Sequence, residues 1–284
     1  MAHEIPAALP SRASVPLSRL LKFFADELLV SCILIRTFMS AVPALIAAIG
    51  MAAIARADFK VKMPDAEPGE LELESIGNYG QSGHTATDNE QSFVHELEYG
   101  VNNFWRTALE FDTDRPAGPG HRLTFDQLTW ENFFQLTERG QYWIDVGLFA
   151  EFGKTLVGHT PNETTFGPML RKEIGPTINT VNLFLEKDLG QFSGGRPNFV
   201  YAWETRVALG GIVDPGFQAY GQPGAFGHFL PISAQDHRIG PQLFGEIHQF
   251  GPGTVKWNGG LLFGLTPAAP RRTARWQLEY EIHF

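Results

Sequence analysis

The last ten residues, Arg275 to Phe284 (RWQLEYEIHF), constrain the fold more than any other stretch. Trp276, Leu278, Tyr280, Ile282 and Phe284 share one parity; Arg275, Gln277, Glu279, Glu281 and His283 share the other. Successive side chains leave a pleated backbone on opposite sides, so a period of two specifies a β-strand. One face of that strand is apolar to the terminal phenylalanine, and the other is polar throughout. It fits either the edge of a soluble sandwich or the wall of a transmembrane barrel with lipid outside and water inside.

The pattern recurs along the chain. Alternating segments lie near 69–79, 92–101, 103–112, 122–137, 141–152, 163–174, 177–189, 198–209, 214–222, 236–249, 254–265 and 273–284. The clearest apolar sets are Tyr142/Ile144/Val146/Leu148/Ala150/Phe152, Phe199/Tyr201/Trp203/Thr205/Val207/Leu209 and Val255/Trp257/Gly259/Leu261/Phe263/Leu265. The segment at 122–137 is expected to switch face through a bulge, and 214–222 is short and led by proline. Pro168 and Pro241 fall inside segments, where a missing donor also predicts bulges. From Asp58 onward no run of about twenty apolar residues predicts a transmembrane helix. Mean hydropathy of -0.12 is too polar for a helical membrane protein, but a barrel shows lipid only every second residue.

The connections separate the two architectures. Long ones (GQSGHTATDNEQ, TDRPAGPGH, GKTLVGHTPN, LGQFSGGRP, GQPGAFGHFLPISAQ, TPAAPRR) alternate with short ones (VNN, TERG, GPT, GGIV, GPG). A bacterial outer-membrane barrel keeps long loops outside, tight turns on the periplasmic side and an even strand count. A sandwich has no reason to keep that order. The expected fold is therefore an all-β, antiparallel up-and-down transmembrane barrel of twelve strands with both termini periplasmic. Tyr99, Phe104, Trp105, Tyr142, Trp143, Phe250 and Phe284 cluster at the short-turn edge, where an interfacial aromatic girdle belongs.

Upstream, Ala41 to Ile54 is an apolar stretch followed by Ala55-Arg56-Ala57, an A-x-A site before Asp58. Residues 1–57 thus read as a secretory signal with cleavage at Ala57/Asp58, starting at Met1 or at Met39. A retained anchor is the rival, but Arg36 and Pro43 interrupt the apolar run. Cys32, the single cysteine, leaves with the signal, so disulfides and thiolate metal sites are not expected. The body from 58 to 284 then carries 17 basic and 28 acidic side chains, a net charge of −11. That acidity argues against nucleic acid as a partner.

The polar parity lines the interior. It holds Glu70, Glu72, Glu74, Glu96, Glu98, Glu110, Asp145, Glu151, Glu173, Glu186, Asp188, Glu204, Glu246, Glu279 and Glu281, with Arg106, Arg171, Arg206, Arg238, Lys256 and Arg275. These charges would cost several kcal/mol facing lipid, about 2–4 for Arg or Lys at the midplane, so their parity implies a wet or paired lumen. An open lumen is expected to pass a small solute and favour cations, with Glu96, Glu98, Arg106, Glu110, Arg171, Glu173, Glu204, Arg206 and Glu279 as selectivity groups. A lumen filled by Arg–Glu networks makes a structural barrel instead.

A third reading is a lipid-active hydrolase. Ser75 and His95 both lie on the apolar parity, and a first hairpin folded about position 85 sets them opposite each other. A carboxylate to orient the histidine is missing; Thr107 is the nearest outward polar group. His84, His121, His159 and His228 lie singly on loops without metal-ligand spacing, so neither a metal nor a cofactor is expected.

The stretches HELEYGVNNFWRTALEF (95–111), ENFFQLTERGQYWIDVGLFAEF (131–152), FGPMLRKEIG with NLFLEKDLG (166–190), and 239–284 resemble a group of bacterial outer-membrane barrels. The group is close to the transporter-like proteins named for the MetA pathway of phenol degradation. The resemblance implies a barrel in outer-membrane lipid that handles small, aromatic compounds, and it transfers no binding or catalytic residue. The final strand also resembles the C-terminal signal read by the barrel-assembly machinery, with Tyr280, Ile282 and Phe284 at its alternating positions.

Overall fold

The computed structural model describes residues 59–83, 88–158, 160–190, 193 and 195–284. The signal segment expected over 1–57, with its cleavage site, lies outside the described residues. So do His84 and His159.

Twelve antiparallel strands close into a barrel in which each strand pairs with its neighbours in sequence and the first pairs with the last. They are β1 (Glu70–Gln81), β2 (Glu90–Asn102), β3 (Trp105–Arg115), β4 (Thr124–Gln135), β5 (Asp145–Thr155), β6 (Asn162–Ile174), β7 (Thr177–Leu189), β8 (Asn198–Val207), β9 (Val213–Ala225), β10 (Asp236–Phe250), β11 (Gly253–Gly264) and β12 (Arg272–His283). Closure leaves no sheet edge, which is what a strand protein needs in hydrocarbon.

The pleat sorts the wall as the parity requires. Leu73, Leu97 and Leu109 stand side by side in register across β1–β2–β3, and all three are exposed on the outer surface. One position along, Glu74, Glu96 and Glu110 stand in register and are buried inside. On the outside, Trp276 pairs with Gly77, and a Cβ added there would lie 2.3 Å from the indole. Trp257 covers Gly245 in the same way, so an aromatic fills the gap that each glycine leaves.

Three sequence expectations need correction. Pro168 and Pro241 create no bulge: the register of β6 against β7, and of β10 against both neighbours, is unchanged across them. The ladder loses pairs at Gly167–Pro168 without shifting, because a missing donor only needs a missing bond. β5 begins at Asp145, so Tyr142, Trp143 and Ile144 belong to a connection over 136–144 that is as long as those at the opposite end. Polar side chains fix it: Gly140 N–H donates to Asp145 Oδ1 (2.7 Å), and Val146 N–H to Thr137 Oγ1 (2.8 Å). β9, expected to be short, runs over thirteen residues.

The face switch expected near 122–137 is present. Pairing of β3 with β4 passes from Asp112–Gln127 to Thr113–Phe125, so Asp126 is bulged out. Thr129, Glu131 and Phe133 point inward, whereas Phe125, of the same parity, is exposed outside and stacks on Phe111 with ring centroids 6.2 Å apart.

Candidate functional site

The lumen is occupied by the chain's own residues 59–68, which precede β1. Gly69 N–H donates to Gly100 O (2.8 Å) at the short-turn end, where β1 begins. Phe59 lies under Arg238 (guanidinium carbon 4.4 Å from the ring centroid), and Arg238 binds Glu90 and Asp236, the first residues of β2 and β10 at the long-loop end. The segment therefore runs most of the barrel's height. An extended stretch of this length spans roughly 30 Å, comparable to the hydrocarbon core of a bilayer.

Its two sides meet different walls. Phe59 and Val61 pack with Ala202, Tyr220 and Leu262 from β8, β9 and β11. Lys60 and Lys62 point the other way. Lys60 Nζ lies 2.8 Å from Glu74 Oε2 and 2.5 Å from Glu96 Oε2. Lys62 Nζ pairs with Glu131, and it sits 4.4 Å from the centre of the Phe149 ring. Both lysines are buried. A carboxylate row in direct register repels itself. The lysines supply the missing positive charge.

The segment's backbone is also satisfied by the wall. Lys62 N–H donates to Asn182 Oδ1 (2.7 Å) while Asn182 Nδ2 donates to Lys62 O (2.8 Å). Arg275 Nε donates to Phe59 O (2.7 Å), an Arg106 Nη2 proton goes to Met63 O (3.1 Å), and Ala66 N–H donates to Gln135 Oε1 (2.8 Å). Buried backbone groups need such partners. Here β3, β4, β7 and β12 each supply one, so the lumen is built to hold this segment.

Beside it lies an apolar cluster inside the barrel. Ala108, Phe133, Phe149, Met169 and Phe184 come one each from β3 to β7. Their rings lie 5.1 Å (Phe133–Phe149) and 5.0 Å (Phe149–Phe184) apart. Toward the short-turn end a cavity of about 360 Å³ remains between the segment and the wall, lined by Glu72, Glu74, Glu98, Glu204, Arg206 and Glu279 among others.

Most of the expected lumen charges face this interior. Glu96, Glu98, Glu110, Arg171 and Glu204 are buried there, and Arg106 pairs with Glu98 at 2.9 Å. Arg206 pairs with Asp214 at 2.8 Å on the cavity wall, where Gln277 Nε2 donates to Glu279 Oε1 at 2.6 Å. Glu173 is the exception: it is exposed at the rim, held by Arg139 (3.1 Å) and Arg171 (2.5 Å). The sequence reading missed Lys60 and Lys62. The available signal was an alternating FKVK stretch before the first strand, together with a wall carrying more carboxylates than bases.

Ser75 and His95 are directly opposite in register on the outer face. Their other cross-strand neighbours are Leu278 and Phe111, neither able to orient an imidazole.

Comparison with protein-family models gives no match, and comparison with curated proteins gives none. Among solved structures the chain is similar to the outer membrane protein Omp33 of Acinetobacter baumannii, at 10% identity and a TM-score of 0.40, over 78% of this chain and 100% of that one. It is also similar to OccK11 (OpdR) of Pseudomonas aeruginosa, at 12% identity and a TM-score of 0.35, over 76% and 67%. A third is the anion-selective porin from Comamonas acidovorans, at 9% identity and a TM-score of 0.35, over 76% and 98%.

Proposed function

We propose that the chain is an outer-membrane barrel forming a small-solute translocation path that its own segment 59–66 holds shut. The single observation carrying this reading is the pairing of buried Lys60 and Lys62 with wall carboxylates at mid-height. Export through the signal at 1–57 and insertion by the assembly machinery through Tyr280, Ile282 and Phe284 complete the proposal. Those three side chains lie on one parity at the free end of β12, where Tyr280 and Ile282 meet Leu73 and Leu71 of β1.

With the segment in place the lumen passes little. Withdrawal of the segment removes two positive charges and leaves Glu74, Glu96 and Glu131 lining the path, so the open state favours cations. Glu98, Glu110, Glu204 and Glu279 extend the acidic lining, while Arg106, Arg171 and Arg206 tune it; Glu173 acts at the entrance. The resemblance to phenol-pathway barrels makes small aromatic compounds the first solutes to try.

The test compares refolded residues 58–284 with a variant in which 59–66 is replaced by glycine and serine. In planar bilayers the parent is expected to be nearly silent and the variant to show discrete cation-preferring conductance. Equal conductance in the two would remove the gating role, and silence in both would favour a purely structural barrel.

A further inference from the structure

We propose that Glu72, Glu74 and Glu279 form a binding site for a hard divalent cation, calcium before magnesium, on the wall of the lumen cavity. One oxygen from each of these carboxylates can be chosen so that all three lie within 4.8 Å of one another. Two oxygens sharing a calcium ion at 2.3–2.6 Å stand at most about 5 Å apart, so this spacing fits a common ion. The register makes the cluster: Glu74 faces Glu279 directly across β1–β12, and Glu72 is the next inward residue on β1.

Carboxylates in a group do not make a site unless something is left for an ion to satisfy. Glu72 is 7% exposed and makes neither a hydrogen bond nor an ion pair among the described residues. It borders the cavity. Glu74 is likewise buried; Lys60 takes its Oε2, while its Oε1 is buried without a partner. Glu279 Oε1 accepts from Gln277 Nε2. A buried carboxylate left alone costs several kcal/mol, and a cation is one of the few groups that removes that cost.

The neighbouring acidic groups each have a basic partner. Glu281 pairs with Lys256, and Glu70 lies 2.9 Å from His283. Glu96 is held by Lys60 and Glu131 by Lys62. Glu72 alone among them is left over. The donor set is all oxygen, which selects calcium or magnesium over transition metals. The cavity of about 360 Å³ has room for the waters that complete a calcium shell. Magnesium demands tighter octahedral geometry at about 2.0–2.1 Å, which a loose triad on a rigid wall supplies less well. The proposal holds whether or not the barrel conducts.

The experiment titrates calcium chloride alone into folded residues 58–284 in zwitterionic detergent after removal of divalent ions, by calorimetry and by thermal denaturation. Binding of one ion with Kd below about 1 mM and a calcium-dependent rise in the unfolding temperature are expected. Glu72→Gln and Glu279→Gln should each weaken binding roughly tenfold or more and abolish the rise, while Glu138→Gln, exposed in the 136–144 connection, leaves both intact. Each variant is first shown to be folded by the shift in gel migration between unheated and boiled samples. Removing a buried charge should raise, not lower, the calcium-free stability of Glu72→Gln, which separates lost binding from lost folding. Absence of saturable heat to about 10 mM, or unaltered affinity in Glu72→Gln and Glu279→Gln, overturns the site and leaves proton sharing among the acids as the explanation.

Discussion

Lys60 and Glu96 form a 2.5 Å ion pair in the interior of the barrel, yet only Glu96 belongs to the wall. The lysine is brought there by a segment outside the sheet, so the sheet's charge balance depends on residues that the strand pattern does not include. Without its segment the wall leaves Glu74 and Glu96, facing each other across β1 and β2, without the lysine that bridges them.

Lys60→Ala and Lys62→Ala should therefore each destabilise the barrel by about 3–5 kcal/mol, the cost of leaving buried partners unpaired. Denaturant unfolding in detergent measures this. Adding Glu96→Gln to Lys60→Ala should recover part of the loss, because one of the two carboxylates that Lys60 bridges is neutralised and no longer repels Glu74. A purely additive double variant would show that the pair does not couple.

Asn182→Leu should loosen the segment without removing any charge. The amide makes two hydrogen bonds to Lys62, at 2.7 and 2.8 Å, and is completely buried. Loss of both leaves a backbone N–H and a carbonyl unsatisfied at about 1–3 kcal/mol each. More frequent opening in bilayer recordings is expected, with the ion preference of each opening unchanged.

On the outside, Leu97→Arg should cost about 2–4 kcal/mol in a bilayer, since the residue sits mid-strand between Leu73 and Leu109 in the lipid-facing row. The same substitution should cost far less in a loop such as 265–271. Equal costs would mean that the outer row does not face hydrocarbon.

Ser75→Ala should leave folding and conductance unchanged. Ser75 and His95 oppose each other, but Leu278 and Phe111 flank them. Esterase or phospholipase activity in the purified barrel that disappears in both Ser75→Ala and His95→Ala would restore the hydrolase reading.

The wall was legible because period-two patterning leaves little freedom: a one-residue slip would turn Leu97 inward and Glu96 toward lipid. The same logic placed Ser75 opposite His95 and anticipated the bulge at Asp126, where the apolar parity reverses. It failed where alternation does not report geometry. Tyr142 and Ile144 continue the apolar parity of β5 but lie in a connection set by Asp145 and Thr137. Pro168 and Pro241 were read as bulges, although skipped bonds suffice. The occluding segment was invisible for a different reason. Phe59, Lys60, Val61 and Lys62 are all buried, because the segment is surrounded on every side, so no exposed face marks its role. Its lysines acquire meaning only against carboxylates 14 to 69 positions away, brought together by closure.

Occlusion of the lumen by residues 59–66 is tested most directly by a reversible lock. The Met63 and Thr180 side chains touch, Oγ1 to Sδ at 3.4 Å, and Cys32 is the chain's single cysteine. Single-channel recording of residues 58–284 carrying Met63→Cys and Thr180→Cys should show silence while the disulfide is intact. Reduction of the same membrane should bring back the infrequent cation-preferring openings expected of the unlocked barrel. Steady conductance through the oxidised protein, with the disulfide verified, would contradict the account.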